Sequence, residues 1–213
     1  MMDFSLGEFE ALAKRAARGA GLSWGMAEET GKAARWLAAF GLPATETLAA
    51  YLTRYRTESG IVVQSEVWAA QSSSTCPLAF GAALSDHGAE LLKGGPITAQ
   101  AVGYPLLVLP FVAGICRREN ICMSLGVADA SVQVNGALMS MHGDIDALRR
   151  ETPSDVTCQV IPPFAGGYEG AAKRCHLSSD DLAALTRLAH RTYAPSSEAS
   201  RILGAGAGVL DED

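Results

Sequence analysis

The sequence predicts an α+β fold: an N-terminal helical hairpin or three-helix segment packed on a mostly antiparallel sheet, with C-terminal helices. Three observations carry this. Apolar residues recur at three- and four-residue spacing through the first ~57 residues and again after Ser178, the period changes to strand-like alternation at Ile61, and Asn135-Gly136 divides two short apolar runs as a hairpin turn would. At 213 residues the chain reads as one domain, 1–213, large enough to bury a core without disulfides or a structural metal. Its parts are a helical segment (1–57), a sheet-rich middle (61–161), C-terminal helices (178–203) and a glycine-rich acidic tail (204–213).

The first helix opens at Ser5, with Glu8 as the acid of a capping box and Phe4 and Phe9 spaced as a hydrophobic staple. Phe9, Leu12, Ala13, Ala16 and Ala17 form its apolar stripe, and Gly19 and Gly21 supply the stop. Ser23 caps a second helix that ends at Gly41 and Pro43, and a third runs from about Ala44 to Arg56 with Leu48, Tyr51, Leu52 and Tyr55 on one side. From Ile61, the residues Ile61, Val63, Val67 and Ala69 alternate with Val62, Gln64, Glu66 and Trp68, the pattern of a strand with one buried face. Cys76 to Lys93 fits a helix opening at Pro77 and stopped by Gly94-Gly95-Pro96; its first half also fits a short strand, and the helix is favoured. Residues 105–116 and 121–126 read as strands meeting at Arg118-Glu119-Asn120. Val132 to Val134 and Ala137 to Met139 flank Asn135-Gly136, a dipeptide suited to a type I′ turn, and Thr157 to Ile161 is a last strand. After the glycine-rich FAGGYEGAAKRC, Ser178 caps a helix from Ser179 to about Tyr193, and Pro195 to Leu203 forms a short final one.

Seventeen basic and 23 acidic residues leave a net charge of -6, the wrong sign for a nucleic-acid groove or an anionic membrane surface. The most apolar window, PLLVLPFVAGIC, is 12 residues long and holds two prolines. A spanning helix needs about 20, so the window reads as a buried strand and no membrane partner is expected. Five cysteines, with no CxxC and no finger-like spacing, read as reduced thiols. No secretory pattern opens the chain, and the expected location is cytoplasmic.

Cys76 and His87 are the candidate catalytic nucleophile and base. On one helix, their eleven-residue separation puts them about 16 Å apart, so each would need a partner from elsewhere; otherwise they are a buried small hydrophobe and a helix-flank histidine. His142, Asp144 and Asp146 form the best metal-like spacing. In an extended segment their side chains share a face, and imidazole with two carboxylates suits a first-row divalent ion. A fourth ligand, His176 or Asp86, would come from a distant segment, and the competing reading is a turn whose aspartate bonds its own backbone. Gly204-Ala205-Gly206-Ala207-Gly208 lacks the third glycine and the following helix of a dinucleotide loop. Ser23-Trp24 combines an aromatic with a helix N-terminus able to receive an anion, although such a tryptophan more often packs in the core. His190 reads as a helix-flank histidine. No GxSxG, HExxH or kinase signature occurs.

The stretches GEFEALAKRAARGAGLSWGMAEETGKAARWL, CPLAFGAALSDHG and RTYAPSSEASRILGAGAGVLDED resemble a bacterial family, domain of unknown function 3726. The resemblance implies a stand-alone bacterial protein and brings no activity with it. Members of that family tend to end in Asp-Asn-Asp, where this chain has Asp211-Glu212-Asp213, a departure at the tip. The reading favoured is a cytoplasmic enzyme acting on a small metabolite, sited where the sheet, the Cys76 segment and the loop at 165–170 meet. The alternative is a non-catalytic accessory or homo-oligomeric protein that binds a small molecule or a protein. A cleft placing Cys76 or His142 beside another titratable group favours the enzyme; a large flat apolar surface favours the binder.

Overall fold

A computed structural model describes residues 1–55, 61–64, 67–70, 74–91 and 95–193. A short strand, β1 (Met2–Ser5), runs straight into α1 (Leu6–Ala20). The expected capping box is in place: Glu8 N donates to Ser5 Oγ at 3.2 Å, and Ser5 N donates to the Glu8 carboxylate at 2.7 Å. The Ser5 bonds also hold the Glu8 carboxyl below its ordinary range. Gly21, at φ +111, ends the helix. Gly19 does not; it lies inside α1, where a Cβ would fall 1.8 Å from Leu188 O, so it is the point at which α1 crosses α6 (Ser179–His190). Ser23 caps α2 (Trp24–Ala39) through Met26 N at 3.3 Å, and α3 (Ala44–Arg54) follows. Buried Phe9, Leu12, Leu37, Leu48, Leu52, Leu185 and Leu188 form the interior of this helical group.

From Ile61 the chain builds β2 (Ile61–Gln64) and β3 (Val67–Ala70), two antiparallel strands rather than the single one expected. The expected facing also reverses at β3, where Trp68 is fully buried and Val67 is exposed. Trp68 meets Phe80 edge-on, with ring centroids 5.6 Å apart. Phe80 lies on α4 (Pro77–Leu91), which has the favoured helical form and leads to β4 (Ile97–Val102). Because a helix joins β3 to β4, these two strands pair in parallel; among the described residues every other pair of strands is antiparallel, and Thr75 adds a parallel bridge to Val102.

The run 105–116 is not a strand. It forms a 3₁₀ turn (Pro105–Val108) and then α5 (Leu109–Glu119). A helix buried all round shows no apolar period that separates it from a buried strand. Here Leu106, Leu107, Val112, Ala113, Ile115 and Cys116 are all buried. Pro105 and Pro110 stand in the first turns of their elements, where an amide proton has no helical acceptor. Strands β5 (Cys122–Val127), β6 (Ala130–Val134), β7 (Leu138–His142), β8 (Ser154–Ile161), β9 (Tyr168–Glu169) and β10 (Arg174–Leu177) complete the fold. Among the described residues the main sheet has eight strands in the order β2-β3-β4-β8-β5-β6-β7-β9, and β1 pairs separately with β10.

The β6–β7 hairpin falls at Asn135-Gly136 as expected, with Val134 opposite Met139. Its turn is not type I′, because only Gly136 (φ +89) takes the left-handed region. Asn135 instead accepts Ala137 N and Leu138 N on its side-chain oxygen, at 3.1 and 2.8 Å. The α+β class is borne out, with α4 and α5 packed on the sheet and α2 packed over both. The expected helix at 195–203 and the tail at 204–213 lie outside the described residues.

Candidate functional site

Cys76 occupies the N-cap position of α4. Its carbonyl accepts Phe80 N at 2.9 Å, and its Sγ accepts Ala79 N at 3.3 Å. Tyr51, on the apolar stripe of α3, brings its hydroxyl within 2.8 Å of the same sulfur. The sulfur thus accepts a backbone N–H at a helix N-terminus and meets the tyrosine hydroxyl at hydrogen-bond distance, with either atom of that pair able to donate.

Tyr51 lines a cavity of about 480 Å³, and Cys76, 5% exposed, lies behind it and is not itself part of the lining. The end of α3 contributes Tyr51, Arg54 and Tyr55, while Ser74, Thr75 and Pro77 flank the thiol. Gly103 and Tyr104 close it from beyond β4, and Glu151 and Pro153 from the approach to β8. Tyr51 packs against both other tyrosines, with centroids 5.8 Å from each. Thr75 fastens the segment before the helix to β4, through Thr75 N to Ala101 O at 2.8 Å and Thr75 Oγ1 to Gln100 O at 2.7 Å. Arg54 donates to the Tyr104 hydroxyl at 3.2 Å and pairs with Glu151.

The backbone beside the cavity is strained. Ala101 (φ 53) and Tyr104 (φ 52) both take the left-handed region, which costs a residue with a Cβ about 1 kcal/mol or more. Surrounding bonds hold them there: Ala101 N donates to Asp155 at 3.1 Å and Tyr104 N to Arg150 O at 2.8 Å. Gly103 between them could carry no side chain, since a Cβ would lie 2.9 Å from Glu151 O.

The other expected site residues lie elsewhere. His87 is exposed on α4, three turns beyond Cys76, so the helix itself separates the two. The structure does not bring His142, Asp144 and Asp146 together as ligands. Gly143, at φ +79, breaks the extended alternation on which a shared face depends. Asp144 then caps a 3₁₀ turn (Ile145–Arg149) by accepting Asp146 N at 3.1 Å, and it pairs with Arg150 at 2.5 Å. Asp146 pairs with Arg149 at 3.4 Å, and His142 Nε2 meets Ser140 Oγ at 3.1 Å. Asp86 is exposed, and His176 lies 3.6 Å from Asp3 on the small sheet. Among the described residues, no three of His, Cys, Asp and Glu are grouped to hold a metal ion.

Nor does the loop at 165–170 reach Cys76. It carries β9, at the far edge of the main sheet from β3 and β4, and Gly170 packs on Phe40. Trp24 is exposed rather than in the core, with the Arg18 guanidinium 4.9 Å over its ring. His190 stacks near Tyr193, at 5.3 Å between centroids. Sequence reasoning reached Cys76 but missed Tyr51 and Tyr104. The first read as core, and no local signal announces the left-handed turn that aims the second.

Residues 4–75 match a family model described as "Protein of unknown function (DUF3726)", the family that the sequence resembles. No curated protein matches the chain. Among solved structures it is similar to malate dehydrogenase from Entamoeba histolytica, with a TM-score of 0.45 and 10% identity over 75% of this chain and 48% of that one. The chain therefore spans about half the length of that structure. Among the described residues, no helix is long and apolar enough to cross a membrane.

Proposed function

We propose, for a chain whose residues 4–75 match the DUF3726 model, that it is an enzyme acting on a small metabolite in the tyrosine-lined cavity, with Cys76 as nucleophile. The observation that carries this reading is the double contact at Cys76 Sγ, from Ala79 N at 3.3 Å and the Tyr51 hydroxyl at 2.8 Å, beside a cavity of about 480 Å³. A nucleophilic thiol needs donors that stabilise its anion, for which Ala79 N and the Tyr51 hydroxyl are placed, and Tyr51 is shared between the thiol and the cavity lining. Arg54 and the Tyr104 hydroxyl are the polar groups placed to orient a small polar substrate. None of the five cysteines is in a disulfide, which fits the reducing cytoplasm that belongs to the same proposal. A thiol beside a second titratable group in a cleft supports the enzyme over the non-catalytic, homo-oligomeric alternative.

Alkylation of the native protein by iodoacetamide near neutral pH, mapped by mass spectrometry, tests this. Cys76 should react well ahead of Cys116 and Cys158. Tyr51→Phe should slow it about tenfold or more, the loss of one hydrogen bond to a charged sulfur. A Cys76 that labels no faster than the two core thiols would defeat the proposal.

A further inference from the structure

A second cavity, of about 580 Å³, lies where α1, α2, α4 and α5 meet. Its rim is cationic in an acidic protein. Lys32 and Arg35 project from α2 and Arg117 and Arg118 from the last turn of α5, the acids lining the space are Glu10 and Glu29, and with Glu119, which pairs with Arg118, one positive charge is left over against a whole-chain charge of -6.

Three of the four cations already have partners. Lys32 pairs with Glu29 at 2.7 Å and Arg35 with Glu10 at 2.9 Å; Arg118 bonds Ser85 O at 2.9 Å and Glu119 at 2.8 Å. Arg117 is exposed and makes no hydrogen bond or ion pair with any described residue. Complementing the α5 dipole accounts for two arginines at its C-terminal end. It does not account for two more cations facing them from α2 with an indole between.

The body of the cavity is aromatic and kept open. Trp36 is half-buried and backed by Phe40 at 4.3 Å, so its ring is held in position. Phe111 is pinned from behind by Gly81, where a Cβ would fall 2.3 Å from the ring. Gly114 borders the space between α2 and α5, and a Cβ there would meet nothing within 4 Å. Guanidinium groups bind phosphate oxygens in pairs, and an aromatic wall takes a flat apolar body.

We propose that this cavity binds a small phosphate-bearing organic anion with a planar body, of the size of a nucleoside monophosphate. The planar part lies against Trp36 and Phe111, and the phosphate lies among Arg117, Arg118 and Lys32. The assignment is independent of the Cys76 cavity, which begins about 14 Å away along α4, nine residues before Ser85.

Isothermal titration of the full chain at low salt with adenosine 5′-monophosphate, adenosine and inorganic phosphate decides it. The monophosphate should bind at least tenfold more tightly than either of the other two. Arg117→Gln should weaken it about tenfold, the value of a charge-assisted hydrogen bond. Gly114→Leu, which adds bulk at a helical position open to the cavity, should remove binding, whereas Arg15→Gln on α1 and Cys76→Ser should leave it unchanged. Absence of binding by the monophosphate overturns the proposal, as does equal affinity in wild type, Arg117→Gln and Gly114→Leu. Adenosine binding as tightly as the monophosphate would overturn the anion assignment, and inorganic phosphate doing so would overturn the planar one.

Discussion

Two thiols of this protein are almost equally buried and are held in opposite ways. Cys76, 5% exposed, sits at the start of α4 and receives a backbone N–H on its sulfur. Cys116, fully buried, sits near the end of α5 and donates its own proton to Val134 O at 3.3 Å. The first sulfur acts as an acceptor, and the second acts as a donor and must keep its proton to do so. The helix ends reinforce the contrast, since partial positive charge gathers at an N-terminus and partial negative at a C-terminus. Burial alone thus says little about what a cysteine can do. The polarity of its hydrogen bonds and its position along a helix decide more, and they give this protein one thiol suited to chemistry and another suited to packing.

The largest expected effect belongs to the packed thiols. Burial pushes Cys116 up to about 12, and Cys158, on β8 in the same core, likewise to about 12. Below about pH 8.5 the folded and unfolded chains both hold these protons. Above it, the unfolded chain releases them while the native thiols keep theirs up to about 12, so native stability falls as pH rises through that window. Between pH 8 and pH 10 the loss is about 2 kcal/mol for each thiol. A Cys116→Ala/Cys158→Ala variant should therefore be flatter than wild type across this range in urea unfolding. Parallel pH profiles for wild type and the double variant would break the contrast between the two kinds of thiol.

A smaller effect should follow from Gly136→Val, which attacks the Cys116 side alone. Gly136 is at φ +89, and a Cβ there would come within 3.0 Å of the Arg117 backbone on α5. A branched residue is strained both by the torsion and by the neighbour, at about 1 to 3 kcal/mol. The hairpin should draw away from α5, loosening the bond from Cys116 to Val134 and admitting alkylating reagent there. Labelling of Cys76 should be unaffected. An unchanged urea midpoint would show that the turn does not bear on the helix.

The same contrast shows which parts of the molecule were legible in the sequence. Ser5, Ser23 and Ser178 announced their helices because a cap is a contact between residues three apart, wholly local. Asn135-Gly136 marked the hairpin for a similar reason, although whether the turn needs one positive φ or two depends on the asparagine side chain. α5 was hidden because it carries no polar side chain from Leu109 to Cys116, its open face there being Pro110 and Gly114, so no period shows until Arg117. The strand β4, and the pairing of β1 with β10, depend on partners tens of residues away and leave no local trace. The cavity at Cys76 draws on four separated stretches of chain. Its thiol stood out by type, whereas Tyr51 shares a helical face with Leu48 and Leu52 and looked like any core aromatic. At His142 to Asp146 the assumed extended geometry failed at one residue, Gly143, because a single left-handed torsion re-aims everything after it.

The smallest expected effect is the sharpest on Cys76 itself. As an N-cap, its sulfur satisfies Ala79 N, a task that a serine hydroxyl performs at least as well and a methyl group cannot. Cys76→Ala should cost about 1 kcal/mol, and Cys76→Ser close to nothing, in the urea unfolding free energy. Reactivity should follow a different order, because oxygen in place of sulfur retains the cap and loses the easily ionised nucleophile. Both variants should therefore abolish labelling by iodoacetamide at this site, while only the alanine weakens the fold. Were serine to destabilise the protein as much as alanine does, the sulfur would be serving as a packed apolar group, as at Cys116, and the difference between the two thiols would reduce to their places in the core.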